Sequence, residues 1–266
     1  MLGMFDSGLG GLSVLREIRK REPHEKLLYL ADHAHCPYGT RTLVEIRSFA
    51  MQITRWLCSE GAKLIAVACN TASAAALHSL RETFPSTPFI GMEPAVKPAV
   101  VNTTTGTVGV LATEATIKGK LFGELLDRFA EDATVLTQAC PGLVELVEKE
   151  DYDSSQARSL LRRYAQPLLD LGADTLVLGC THYSFLKTEL QEMVGPNINI
   201  IDPAPAVADQ VSRVLTEKNL RSKSELEQSD NLIVVCTTDI SHATHLSRQA
   251  QSLLGEPVHL RAVELD

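Results

Sequence analysis

The chain has no C-x-x-C pair, no excess of basic residues, no G-x-G-x-x-G fingerprint and no apolar run long enough to cross a bilayer. Each absence removes a class of protein. The six cysteines, at 36, 58, 69, 140, 180 and 236, are spaced too widely for a zinc ribbon or a small disulfide scaffold. They are expected to be free thiols in a reducing compartment, each either packed in a core or reactive. Lys and Arg number 25 against 33 Asp and Glu, a net charge of −8, whereas general nucleic-acid binding needs basic surface to neutralise phosphates. The longest apolar stretch, Leu64 to Leu77, is broken by Asn70, Thr71 and Ser73 and is too short for a membrane span. Met1 to Phe5 runs straight into Asp6 without the regions of a secretory leader. The expectation is a cytoplasmic protein with no membrane and no direct nucleic-acid partner.

What is present is ordinary globular composition, 44% hydrophobic and 22% charged over 266 residues. At ~150 residues per domain that length suggests two. Strands read at Lys26 to Ala31 and Lys63 to Ala68. Between them Ile46, Phe49, Ile53, Trp56 and Leu57 form a helical stripe from Val44 to Glu60, closed by Gly61. Leu161, Tyr164, Ala165 and Leu168 form a similar stripe ending at Gly172, with Pro167 inside it as a potential kink. Alternating strands and helices predict an α/β fold with parallel sheets.

Aligned with itself, the chain repeats. Gly61-Ala62 opens a strand ending Cys69-Asn70-Thr71, and Gly172-Ala173 opens one ending Cys180-Thr181-His182; in both, cysteine comes eight residues after the glycine. Further on, Gly91-Met92-Glu93-Pro94-Ala95 matches Ile200-Ile201-Asp202-Pro203-Ala204, and at the front Gly3 to Ser7 matches Gly109 to Thr113. Three landmarks in one order predict two pseudo-symmetric α/β units with one strand-end cysteine each. The first boundary falls near Glu93-Pro94, followed by a soft stretch from Pro98 to Gly106. The second falls near Pro203 to Pro205. After a polar stretch, Glu217 to Asp230, come a strand at Leu232 to Cys236, a helix at Ser241 to Leu254 and a strand at Val258 to Val263. The tail is expected to rejoin the first unit, so the units are residues 1–93 plus 205–266, and 94–204.

Ligands in open α/β sheets bind outside the carboxyl ends of strands, where Cys69 and Cys180 fall. A following helix would favour a thiolate at either, and a duplicated pair opening onto polar residues is not simply core, as Cys58, Cys140 and Cys236 are expected to be. Two thiols from facing units suit a two-base reaction, in which a carbon loses a proton on one face and gains one on the other. Asp6-Ser7-Gly8-Leu9-Gly10-Gly11, between a strand and the helical Leu12 to Lys20, reads either as a carboxylate or phosphate cradle or as a tight turn capped by Asp6. His33, His35 and Cys36 resemble metal ligands, but no second ligand cluster has a compatible spacing, so no metal is expected. Tyr38-Gly39 reads better as a substrate-facing loop. His182 can contact a ligand or tune Cys180, and His242 and His245 read as surface residues of a helix.

Together, Asp6-Ser7-Gly8-Leu9-Gly10-Gly11-Leu12-Ser13-Val14, Pro37-Tyr38-Gly39, Cys69-Asn70-Thr71-Ala72 and Gly179-Cys180-Thr181-His182-Tyr183 resemble the motif set of the bacterial glutamate racemases, in order from about residue 2 to about residue 209. That resemblance implies interconversion of L- and D-glutamate without pyridoxal phosphate or other cofactor, with D-glutamate destined for peptidoglycan. It also implies an active site in the cleft between two domains, and a homodimer. Carried onto this chain, Cys69 and Cys180 are the acid/base thiols, assisted by Asp6 and His182, with Glu148 rather than Glu145 as the auxiliary acid. Asp6, Ser7, Tyr38, Gly39, Asn70, Thr71, Thr181 and His182 would line the substrate. His35-Cys36 depart from the family's pattern. The residues also admit an aspartate or other amino-acid racemase, a hydrolase or lyase with one nucleophilic cysteine, and a binding protein without turnover.

Overall fold

A computed structural model describes residues 1–129, 133–222 and 233–265. It contains two sheets, every pairing parallel, matching the expected α/β class. The first sheet uses β1 (Leu2–Asp6), β2 (Leu27–Ala31), β3 (Leu64–Val67) and β4 (Phe89–Ile90), joined by β9 (Ile233–Thr237) and β10 (Val258–Ala262) in the order 10-9-2-1-3-4. The second uses β5 (Thr107–Ala112), β6 (Thr134–Ala139), β7 (Thr175–Gly179) and β8 (Asn199–Ile201) in the order 6-5-7-8. The cores 2-1-3-4 and 6-5-7-8 are the same arrangement, so the repeat in the sequence is a repeat in the topology.

In the first sheet, alternate residues enter opposite cores, as the period of two requires. Leu27, Tyr29 and Ala31 face one core; Leu28 and Leu30 face the other. Helices cover both faces, which is why these strands read as continuous apolar runs. Helix α1 (Leu12–Arg21) buries Leu12, Leu15 and Ile18, and α2 (Leu43–Ser59) buries Ile46, Ala50, Ile53 and Leu57 behind a Thr42–Glu45 capping box. Helix α3 (Asn70–Thr83) follows β3 directly.

The stretch from Pro98 to Gly106 is not a plain linker: α4 (Val96–Asn102) occupies most of it and buries Val96 and Ala99. Pro98 lies in its first turn, where a missing N–H breaks no helical bond. Helices α5 (Glu114–Lys118), α6 (Lys120–Phe129) and α7 (Leu143–Glu148) complete the approach to α8 (Ser155–Asp170), which runs through Pro167. Beyond β7, a 3-10 turn over Thr181–Leu186 leads into α9 (Lys187–Val194).

Helix α10 (Ala204–Glu217) packs Val207, Ala208, Val211 and Leu215 into the core holding Leu12, Leu15 and Ile18 of α1. Residues 223–230 of the polar stretch and Leu232 lie outside the described residues. The last helix, α11 (Ala243–Leu254), joins β9 and β10 in extending the first sheet. Among the described residues, no helix is long and apolar enough to cross a membrane.

Candidate active site

Parallel register brings the carboxyl ends of β1, β2 and β3 level, and those of β5, β6 and β7 likewise. Asp6 ends β1, Asp32 follows β2 and Cys69 follows β3; Thr113, Cys140 and Cys180 follow β5, β6 and β7. The chemistry is concentrated on these ends because a strand's last residue leaves the pleat there and need not fill a core.

Cys69 caps α3, its Sγ accepting the Ala72 N–H at 3.4 Å, and it is only 4% exposed. Burial pushes its thiol pKa well up, and the charge and hydrogen bond of Asp6 push the same way; the Cys180 sulfur also contributes. Asp6 is fully buried, and burial raises its carboxyl against the opposing influence of His182 and Cys69. Its Oδ2 accepts the Gly11 N–H at 2.8 Å, so it is also the cap of the glycine-rich turn.

Cys180 begins the 3-10 turn, with Sγ 3.8 Å from His182 Nδ1. His182 Nε2 lies 2.5 Å from Glu148 Oε1, and Oε2 of the same carboxylate is 3.3 Å from His33 Nε2. Burial alone would lower the His182 pKa; the Cys180 and Glu148 contacts outweigh it and hold the imidazole well above its ordinary value. For Glu148, burial would raise the carboxyl, but hydrogen bonds and charge from His182 and His33 hold it far below the usual carboxylate range. The neighbouring Glu145 instead lines a cavity.

The glycine-rich turn does hold a carboxylate, but the protein's own. Leu9 N–H donates to Glu148 Oε1 at 2.7 Å. A Cβ at Gly8 would fall 2.0 Å from Glu148 Oε1, and one at Gly10 would fall 2.3 Å from His182 Nδ1 and 2.4 Å from Thr181 Oγ1. The glycines are there so that one unit's carboxylate and imidazole can close against the other unit's backbone.

Of the remaining expected residues, Thr181 stands between the halves, its Oγ1 3.5 Å from Asp6 Oδ2 and 3.4 Å from His182 Nδ1. Thr71 joins a hydroxyl cluster across the units, 2.9 Å from Thr113 Oγ1 and 3.2 Å from Thr116 Oγ1. Asn70 is 2% exposed, and neither its Oδ1 nor its Nδ2 has a hydrogen-bond partner among the described residues. An amide left so costs about 1–3 kcal/mol per group, a cost that no other described residue offsets. Ser7 is buried, its backbone favouring the charged form of Asp6 and its hydroxyl that of Cys36. Tyr38 is buried and spends its hydroxyl on Asp32 at 2.6 Å, which makes it a support of the loop. Gly39 and Thr113 line a cavity of about 310 Å³ between the units, with Pro37, Thr40, Cys140 and Glu145 among its other walls. Neither Cys69 nor Cys180 lines it, and both are buried.

Of the three residues read as conceivable metal ligands, His33 and Cys36 both reach Glu148, while His35 turns away to Asp32 and Phe49. His33 bonds Glu148 and Thr237; His35 Nδ1 bonds Asp32 at 2.9 Å and its ring stacks on Phe49; Cys36 faces Ser7 and Glu148. Cys140 and Cys236 are buried in the cores, and Cys58 is half-buried beside Thr87. On the C-terminal segment, His245 is only partly exposed and its Nε2 meets the Glu148 carbonyl at 3.0 Å, so it is no free surface residue.

Sequence reasoning missed Thr113, Thr116 and Asp32. Asp32 gathers Tyr38, His35 and Thr238, the last at 2.8 Å from a segment two hundred residues away in the chain. Thr113 was findable, because the internal alignment sets it opposite Ser7.

A family model for Asp/Glu/hydantoin racemases matches residues 12–211. A glutamate racemase of Roseiflexus sp. (strain RS-1) is 54% identical over 219 residues, covering 82% of this chain and 80% of that protein. Among solved structures, the glutamate racemase isoform RacE1 of Bacillus anthracis superposes with a TM-score of 0.89 at 32% identity, covering 100% of this chain and 97% of that one. The Francisella tularensis glutamate racemase in complex with D-glutamate gives 0.86 at 28% identity, covering 100% and 97%.

Proposed function

This chain belongs to the Asp/Glu/hydantoin racemase family, and we propose that it interconverts L- and D-glutamate by proton transfer at Cα between Cys69 and Cys180, without a cofactor, supplying D-glutamate for peptidoglycan. The observation that carries this is the pair of buried thiols on equivalent strand ends of two facing units, each with its own proton-handling partner.

In one direction, one sulfur enters as thiolate and removes the Cα proton, while the other enters as thiol and delivers a proton to the opposite face. The two then hold each other's starting protonation state, so the reverse reaction begins where the forward one ends. The Cα–H is a far weaker acid than a thiol. Much of the rate must therefore come from donors that stabilise charge developing towards the substrate carboxylate. Ser7, Asn70, Thr71 and Thr181 are the residues assigned to that task, and Asn70's unpartnered amide is the strongest support for it. Gly39 lies on the cavity wall next to that cluster, and Tyr38 holds its loop. Asp6 assists Cys69 and His182 assists Cys180, with Glu148 fixing His182's orientation. A water-excluding site strengthens each of these interactions.

The same reading takes residues 1–93 with 205–266 as the first domain and 94–204 as the second, which the packing of α10 on α1 supports. A homodimer and a cytoplasmic location belong to the proposal as the family resemblance implies them; light scattering of the purified protein checks the former. The test of the reaction is circular dichroism of L-glutamate with the purified protein, without added pyridoxal phosphate or metal. Decay of the signal to zero, from either enantiomer, supports the reading. Decay with aspartate but not glutamate would replace the substrate.

A further inference from the structure

Three chemically different ligand atoms converge where the two units meet: the thiol of Cys36, the carboxylate of Glu148 and the imidazole of His182, all within 4.8 Å of one another. They come from separate segments, the connection after β2, the end of α7 and the turn after β7. A Cβ at Gly8 would lie 3.0 Å from Cys36 Sγ and 2.0 Å from Glu148 Oε1, so the bare glycine backbone is the floor under this convergence. His182 Nε2 and Glu148 already share a hydrogen bond.

We propose that Cys36, Glu148 and His182 form an inhibitory site for a thiophilic divalent cation of the zinc class. One sulfur, one imidazole nitrogen and one carboxylate oxygen form a donor set that zinc accepts and that calcium or magnesium does not favour. Tetrahedral zinc would set these atoms about 3.3–3.6 Å apart, which the cluster reaches by shifts of about an ångström. The metal takes the position of the proton between Glu148 and His182 Nε2, and that proton and the Cys36 thiol proton both leave to solvent as the metal–nitrogen and metal–sulfur bonds form. His182 then keeps only the proton on Nδ1, the nitrogen that faces Cys180, and giving that proton up would leave an imidazolate, so the ring no longer serves that thiol as an acid. Because Cys36 belongs to the first unit and the other two ligands to the second, the ion also ties the cleft shut.

The consequence for rate rests on the racemase reading; the site itself does not. The test uses metal-buffered Zn²⁺ for rate and Cd²⁺ for the cadmium–thiolate charge-transfer absorption, each variant being compared with its own metal-free rate. Zn²⁺ should inhibit the wild-type protein reversibly, with a chelator restoring activity. Cys36→Ser and Cys36→Ala should each require about tenfold more Zn²⁺ or beyond. The cadmium absorption should survive in the Cys69→Ser/Cys180→Ser double variant and fall when Cys36→Ser is added. Equal Zn²⁺ sensitivity and unchanged cadmium absorption in both Cys36 variants would overturn the site by placing the metal on other thiols, and so would a wild-type protein indifferent to Zn²⁺. A Cys36-dependent cadmium signal in a protein that racemises nothing would uphold the site and overturn the racemase reading instead.

Discussion

The two strand-end cysteines occupy equivalent places in the two sheets, yet their neighbours carry opposite charge. Cys69 caps an α-helix and faces a buried carboxylate, Asp6, that works with burial to keep its proton on. Cys180 begins a 3-10 turn and faces an imidazole that Glu148 keeps cationic. Duplication supplies two thiols at matched positions; divergence supplies one with an anionic partner and one with a cationic partner. A reaction that must hold one thiol and one thiolate at the same time needs that inequality. Two identical surroundings would favour the same protonation state in both.

The strongest way to break the comparison is to remove a sulfur. Cys69→Ser and Cys180→Ser should each lower racemisation by on the order of 10²–10⁴-fold while leaving far-ultraviolet circular dichroism and urea midpoint near wild type. Loss of the fold in both would show that the sulfurs serve packing. Full activity in either would leave one sulfur without a role.

Removing a partner sharpens the comparison instead. Asp6→Asn and His182→Asn should each slow turnover by about 10²-fold, but on opposite directional constants. A racemisation has an equilibrium constant of one, so kcat/KM must stay equal in the two directions for any variant. The asymmetry therefore appears as kcat and KM falling together in one direction. Full progress curves from L- and from D-glutamate measure this, and identical distortions from both variants would mean that the partners are interchangeable.

Glu148→Gln tests the cationic side alone, through pH. The native Glu148 carboxyl is depressed, so its contribution to stability is present above the unfolded value of about 4.3 and lost as pH falls toward the native one. The native His182 is raised, so its contribution is present below about 6.5 and lost as pH rises through the native value. The stability gap between wild type and Glu148→Gln should be widest between about pH 4.3 and 6.5, and urea melts across pH read it directly. A gap that does not change with pH would remove the ion pair from the account.

Thr113→Val makes the smallest change. It deletes one hydroxyl of the cluster joining the units and leaves the 3.2 Å Thr71–Thr116 contact. About 1 kcal/mol of stability should be lost, with turnover changed only a few-fold. A loss as large as that of Asp6→Asn would move Thr113 into the substrate's own contacts.

The first sheet and the strand before Cys180 were legible because parallel strands covered on two faces read as apolar runs, and because the repeat declared itself at Gly61-Ala62 and Gly172-Ala173; β6, half-exposed to exposed along its length, gave no such run. The cysteines, Asp6 and His182 were legible from their places at strand ends. What stayed hidden was what each side chain meets across the cleft. Nothing local to Leu9 says that its N–H holds the carboxylate of Glu148, and nothing near His33 says that it reaches both Glu148 and Thr237. Of the two readings of the glycine motif, the Asp6 cap was local and is found at Gly11, whereas the Glu148 carboxylate that the turn holds comes from far along the chain. The helix over Val96–Asn102 was hidden differently, because a proline in a first turn looks like one in a linker.

The most direct test of the central claim is a single pass of L-glutamate over the protein in D₂O, with both enantiomers separated at low conversion and Cα deuterium read by NMR or mass spectrometry. Two sulfurs on opposite faces predict deuterium in the D-glutamate formed and protium in the L-glutamate recovered. Substrate protium carried into the product, or deuterium appearing equally in both enantiomers from the start, would mean that one base serves both faces, and the two-thiol account would be wrong.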